Sequence, residues 1–291
     1  MDIKAIFMGL AFAAMWSSAF TSARIIVEFA PPLTALACRF LMSGIIGISI
    51  AKMLGQTMQL SRRQWTGIVV FGICQNALYL GLNFVAMQTI EASLAAIIAS
   101  TMPLLVALSG WLFMGTRLRP LGIAGLVAGV IGVTIIMGAR LSGGVDLYGL
   151  ILCIVGVVSL TAATLAVMGA SSGGNVLMIV GLQMLVGSAL LWGPALVFEN
   201  FDITWNWQLI VAFLYTTLVP GLLATWVWFM LVGRIGAVKA STFHFLNPFF
   251  GVAIAAVLLG EKLGLIDVIG VMIIAGGILA VQLSKQPVTN R

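Results

Sequence analysis

Long apolar runs alternate with short polar or Pro- and Gly-bearing links along the whole chain, at roughly 5–27, 33–54, 66–87, 91–113, 120–139, 147–169, 175–197, 207–231, 237–259 and 265–283. Each run approaches the ~20 residues a helix needs to cross a hydrocarbon layer of ~30 Å. Backbone amides and carbonyls in lipid must be satisfied within the protein, so only helices or closed barrels span it. The runs are too long and too uniformly apolar for the alternating strands of a barrel. The pattern therefore predicts an all-α membrane fold of ten transmembrane helices. The first run has only the weak Asp2 and Lys4 pair before it and is long enough to span, so it reads as the first helix and not as a cleaved signal.

Composition agrees, with 62% hydrophobic and 8% charged residues and a mean hydropathy of +1.18, against about a quarter charged in soluble domains. The net charge of +6 would suggest nucleic acid in a soluble protein. Here it is sorted by position, so no nucleic-acid partner is expected. With the N-terminus in the cytoplasm, Lys4, Lys52, Arg62, Arg63, Arg117, Arg119, Arg234, Lys239, Lys285 and Arg291 all face inward. Arg24, Arg140 and Lys262 fall near the outer face, and Arg39, inside the second run, is placed to snorkel to the outer interface. The positive-inside rule then puts both termini of this multi-pass protein in the cytoplasm. Cys38, Cys74 and Cys153 fall inside runs and read as small core residues.

The chain also repeats itself. Sliding it by 145 residues pairs Pro103 with Pro248, Gly115 with Gly260, Arg117 with Lys262, Leu118 with Leu263, Gly125 with Gly270 and Gly132 with Gly277. The expected halves are 1–145 and 146–291, each with five helices. Because five is odd, the second half starts on the opposite side of the membrane, so the repeats are inverted. Inverted repeats are the plan of secondary transporters, with the substrate site near the midplane between repeats. Exchange of conformations between two similar halves gives alternating access.

The segments Ala92 to Gly132 and Ala237 to Gly277, the early Trp16 with Ser17, and Pro32 followed by Arg39 resemble the drug/metabolite transporter superfamily. They are similar in particular to its ten-helix exporters built from two EamA-type repeats. The resemblance covers essentially the full chain and implies export of small metabolites, amino acids among them. The halves have specialised, since Thr161 stands in the second where the first has Trp16.

Polar groups that are costly to leave in lipid mark the interior. In the third run Asn76, Tyr79 and Asn83 are three and four residues apart, on one helix face with Gln75 beside them. They read either as hydrogen-bonding glue between helices or as a pocket wall. Pro103 and Pro248 lie near the centres of their runs, and each lacks the amide that would bond four residues back, so the carbonyls of Ala99 and His244 are expected to lose partners. Neighbouring hydroxyls such as that of Ser100, or a water-filled cavity with a bound solute, would satisfy them. His244 is the chain's single histidine. Ser241 and Asn247, three residues to either side, share its face with Pro248. It reads as a packing group, or as a substrate hydrogen-bonder or proton sensor. Trp16, central in the first run and away from the interfacial belts, reads as packing or as cavity lining. The candidate substrate-binding set is thus Trp16, Gln75, Asn76, Tyr79, Asn83, Ser100, Pro103, His244, Asn247 and Pro248.

No Asp or Glu lies deep within a run, so lipophilic cations are disfavoured and neutral or zwitterionic substrates are expected. There is no Walker loop, no paired-histidine zinc motif and no Gly-x-Ser-x-Gly elbow, so neither a cofactor nor a metal is expected. The sequence predicts a secondary exporter of small amphipathic metabolites, amino acids with hydrophobic or aromatic side chains foremost. Alternatives are a drug or nucleotide-sugar carrier, an intramembrane enzyme such as a protease, and an assembly factor. The expected partners are a small-molecule substrate and the lipid bilayer, with the chain a monomer or homodimer.

Overall fold

The computed structural model describes residues 3–113, 115, 118–166 and 173–284. Arg117, Lys285, Arg291 and residues 167–169 of the sixth apolar run lie outside the described residues. Ten helices long and apolar enough to cross a membrane follow one another: α1 (Ile3–Phe29), α2 (Pro32–Met53), α3 (Arg62–Ala86), α4 (Ala92–Phe113), α5 (Pro120–Ser142), α6 (Leu147–Ala166), α7 (Val176–Phe198), α8 (Trp207–Ile235), α9 (Ser241–Leu259) and α10 (Leu265–Ser284). No strand occurs among the described residues.

The helix ends follow local chemistry. Proline at the first helical position starts α2 and α5, where its missing amide costs nothing. Ser61 and Gln64 form a reciprocal capping box ahead of α3, with Gln64 N donating to Ser61 Oγ and Ser61 N to Gln64 Oε1. Asn206 Oδ1 accepts from Leu209 N at the start of α8. Gly260, with φ of +68°, ends α9 in the left-handed conformation.

The helices form two compact units, and these cut across the halves of the repeat. The first comprises Met1–Thr21, Ile90–Leu147 and Leu223–Arg291, and the second Ser22–Thr89 and Tyr148–Leu222. In the first unit the most extensive helix pair is α5 with α10, followed by α4 with α9; in the second it is α2 with α7. Each is a pair of repeat equivalents. Glycines set the approach. A Cβ on Gly125 would stand 2.6 Å from Gly277 O, and one on Gly132 would stand 2.9 Å from Gly270 O. Gly125 and Gly132 correspond to Gly270 and Gly277 in the repeat, so the two contacts exchange under its symmetry. In the second unit a Cβ on Gly44 would lie 3.0 Å from Gly181 O, and one on Gly181 would lie 3.0 Å from Gly44 O.

Acidic and amide side chains just beyond the end of one helix close the start of another in the same unit. In the second unit Leu33 N and Thr34 N donate to the Glu199 carboxylate at 2.6 and 2.8 Å, and Met178 N donates to Gln56 Oε1 at 3.0 Å. In the first unit Ala92 N and Ser93 N donate to Glu261 at 2.8 and 3.0 Å. A carboxylate at a helix N-terminus satisfies orphan amides and meets the positive end of the helix dipole. Near that carboxylate's own end of the fold, Arg140 bridges Asp267 at 3.1 Å and Glu91 at 2.6 Å.

Substituting Gly125 with Val should therefore force α5 and α10 apart, at about 1–3 kcal/mol, seen as a lower melting temperature in detergent. Gly138→Ala, on the same helix with nothing within 4 Å of an added Cβ, should be neutral. Equal melting temperatures for the two variants would show that the close approach is not what holds the pair.

Candidate functional site

The ninth helix is not regular. Ser241–Leu246 is a 3-10 segment and α-helix resumes at Asn247, with Pro248 following. In a 3-10 turn residues three apart eclipse, which aligns Ser241, His244 and Asn247 more closely than an α-helix would. The expectation that Pro248 leaves the His244 carbonyl without a partner is corrected here, because Asn247 N donates to His244 O. The tighter winding replaces the bond that proline removes.

Two side chains of this segment pair with each other: Asn247 Nδ2 lies 3.0 Å from His244 Nδ1. With the amide donating, Nδ1 accepts and the ring proton sits on Nε2. Ser241 turns elsewhere, donating to Gln282 Oε1 on α10 at 3.2 Å. The backbone carbonyl of Asn247 accepts from Ser17 Oγ of α1 at 3.1 Å. Asn247 Oδ1 is buried and has no hydrogen-bond partner among the described residues. Buried polar atoms are nearly always paired, and an orphan acceptor in a membrane helix is costly.

Aromatic rings surround the imidazole. Phe12 meets His244 edge-on at 5.4 Å, Trp228 lies 5.2 Å from it, and Phe12 contacts both Trp228 at 4.7 Å and Trp16 at 5.7 Å. Phe12 is fully buried, while Trp16, Trp228 and His244 are half-buried. All belong to the first unit. The cluster offers a neutral N–H donor and an unsatisfied carbonyl acceptor beside apolar rings, the chemistry that matches an amphipathic solute.

Of the candidate residues, Trp16, His244 and Asn247 meet in this cluster. Ser100, Pro103 and Pro248 are buried in the same unit. The fourth helix breaks beside Pro103, where Thr101 N turns back to Ile98 O at 3.1 Å. Ser100 Oγ and Thr101 Oγ1 bond to the Ile97 and Ile98 carbonyls at 2.7 and 2.6 Å. Gln75, Asn76, Tyr79 and Asn83 belong to the second unit. There the third helix runs as a π-helix over Gly72–Leu80, so the spacing of three and four no longer stacks side chains as in an α-helix, although Asn76, Tyr79 and Asn83 are all buried. Asn76 Nδ2 donates to Gln183 O at 2.8 Å and fits over Gly187. Asn83 Nδ2 bonds Tyr79 O one turn back at 2.8 Å, and its Oδ1 has no partner among the described residues.

Sequence reasoning passed over Phe12 and Trp228, although Phe12 precedes Trp16 by one helical turn. It also sent Arg39 toward the interface. The structure buries Arg39 at 6% exposure, its Nε donating to Thr216 O at 3.3 Å. Among the described residues no group of three or more His, Cys, Asp or Glu side chains is arranged to hold a metal.

The profile of the EamA-like transporter family matches the sequence twice, over residues 3–138 and 147–283. The chain belongs to this family. It is similar to the uncharacterized transporter YvbV of Bacillus subtilis, with 26% identity over 92% of this chain and 88% of that protein. A probable amino-acid metabolite efflux pump of Salmonella typhimurium shares 25% identity over 94% and 92% of the two chains. The aromatic amino acid exporter YddG of Ancylobacter novellus shares 31% over 39% of each. One crystal structure shares the fold, with a TM-score of 0.69 at 20% identity, covering 97% of this chain and 98% of that one. The family and the names of these relatives are those of transporters.

A double-mutant cycle tests the central pair. His244→Leu and Asn247→Leu should show a coupling energy of about 1 kcal/mol in unfolding measurements. Strict additivity would mean that the pair is not formed.

Proposed function

We propose that this EamA-family transporter is a secondary exporter of small amphipathic metabolites, amino acids with hydrophobic or aromatic side chains foremost, working by alternating access. The observation that carries the reading is the unpaired Asn247 Oδ1 beside His244, set among Phe12, Trp16 and Trp228 at a break in a membrane helix. A zwitterion's ammonium group is a donor that such an acceptor lacks, its carboxylate accepts from an N–H, and a hydrophobic side chain packs on the rings. Ammonium over the face of Trp16 or Trp228 would add a cation–π contribution. The efflux-pump name carried by the Salmonella relative supports the same substrate class.

In this reading both termini are cytoplasmic in a bacterial inner membrane, the site works without a cofactor, and the transporter acts as a monomer or homodimer. α1 and α8 each pass from one compact unit into the other. α8 does so beside its π-helical segment Val219–Leu223, a departure from regular winding of the kind found at functional sites.

Radiolabelled phenylalanine and leucine should enter proteoliposomes bearing the purified protein with saturable kinetics. His244→Ala and Asn247→Leu should each raise the half-saturating concentration about tenfold or more, the worth of one lost hydrogen bond. Absence of flux across a broad amino-acid panel would sink the proposal. Unchanged affinity in both variants would move the site elsewhere in the chain.

A further inference from the structure

We infer that Arg39 is a carboxylate-binding residue of the second unit. This deepens the exporter reading and rests on it for the identity of the solute. The residue lies seven positions into α2, about 10 Å along the helix, in a segment with no other charge until Lys52. Its side chain is 94% buried, since its exposure is 6%. A guanidinium carries five N–H donors and stays charged. One of them, on Nε, donates to Thr216 O of α8. The rest meet no acceptor among the described residues, and none of the ion pairs found there includes Arg39. The Phe40 ring, 5.2 Å from Cζ, supplies a partial cation–π contribution. That leaves a permanent charge on a nearly buried side chain whose outer N–H groups have no protein acceptor among the described residues, an arrangement that favours an anionic partner.

The neighbouring backbone of α8 accounts for the one bond that Arg39 makes. Pro220 has no amide to return to Thr216, four residues back, which frees the carbonyl that Arg39 Nε takes. Gly221 follows, and a Cβ there would stand 3.2 Å from Thr216 O and 3.6 Å from Arg39 Nη2, so the guanidinium lies close against the α8 backbone. One turn beyond Arg39, Ser43 is fully buried and donates to Thr217 O at 3.4 Å.

A purely structural role, bridging α2 to α8, needs a single donor and no charge. The repeat provides a comparison, because the corresponding stretch of α7, 144 to 145 residues on, is Gln183–Met184. The folded frame manages there without a cation. A carboxylate has the fork geometry to take two parallel bonds from a guanidinium, and Arg39 is the buried cation placed to offer them.

The test is ligand binding to the purified protein in nanodiscs, read by thermal shift and calorimetry. The probes are L-phenylalanine, L-leucine and benzoate, set against phenylalaninamide, leucinamide and benzamide. Wild type should bind the acids about tenfold or more tightly than the amides, as expected for a charge-assisted pair. Arg39→Gln, which keeps a donor for Thr216 O, should bring that ratio to about one with amide affinity unchanged. Arg39→Lys, which keeps the charge and loses the fork, should weaken the acids several-fold and serves if the Gln variant fails to fold. Melting temperatures of the unliganded forms separate folding from binding. The proposal is overturned if no acid binds wild type, if the acid preference survives in Arg39→Gln, or if Arg39→Lys binds acids as wild type does. Binding through Arg39 without flux in liposomes would remove the exporter reading and leave the carboxylate site standing.

Discussion

The backbone-to-backbone approach of repeat-equivalent helices at glycine is the contact on which the rest of the molecule depends. Lipid tails are as apolar as leucine, so burial of apolar surface does not drive membrane helices together, and close van der Waals packing must. Gly125 against Gly277 and Gly132 against Gly270 hold α5 to α10, and Gly44 against Gly181 holds α2 to α7. Each glycine gives up side-chain packing of its own to admit a neighbouring carbonyl. Because the paired helices descend from corresponding places in the two halves, one contact generates its mate by symmetry. Each compact unit is thereby built from both halves of the chain.

Tightly paired straight helices would leave few polar groups available. The interrupted helices supply them. α3 and α8, repeat equivalents, each contain a π-helical stretch, and α4 and α9, also equivalents, each break beside a proline. In α4 and α9 the backbone makes local bonds beside the break, through 3-10 bonds at His244 and Thr101 and hydroxyls at Ser100 and Thr101. What is not recovered stands out against that economy. Asn247 Oδ1, like Asn83 Oδ1, Thr21 Oγ1 and Ser93 Oγ, is buried without a partner among the described residues, and only Nε of the buried Arg39 finds a protein acceptor there.

Much of this was legible in the sequence, because composition and run length are averages over some twenty residues and tolerate local error. The ten helices and the all-α class rest on such averages, and the repeat offset rests on six residue pairs in one register. The carboxylates of Glu199 and Glu261 were readable as residues near helix ends but not as caps, since each closes a helix distant in sequence. Individual side chains depend on winding. The argument that stacked Asn76, Tyr79 and Asn83 assumed 3.6 residues per turn where the helix is π-helical, and the argument that left the His244 carbonyl bare assumed that no 3-10 bond would form. Arg39 was misjudged for a related reason. Snorkelling is what a lone arginine does on an isolated helix, and the carbonyl freed by Pro220 on another helix could not be seen from α2.

The symmetric frame and the asymmetric chemistry are separate layers of the same sequence. Positions that set helix approach recur in both halves as glycine and proline, as in Gly125 with Gly270 and Pro103 with Pro248. Positions that carry polar chemistry do not recur. Trp16 answers to Thr161, His244 to Ala99, and Arg39 to the uncharged Gln183–Met184 stretch. A residue that sets helix approach is expected on both sides of a duplicated frame, because both sides face the same packing problem. A residue needed to recognise one asymmetric solute is needed only once, since an amphipathic molecule offers one polar end and one apolar body. In the proposed reading Trp16, His244 and Arg39 stand once because the solute they meet is itself asymmetric.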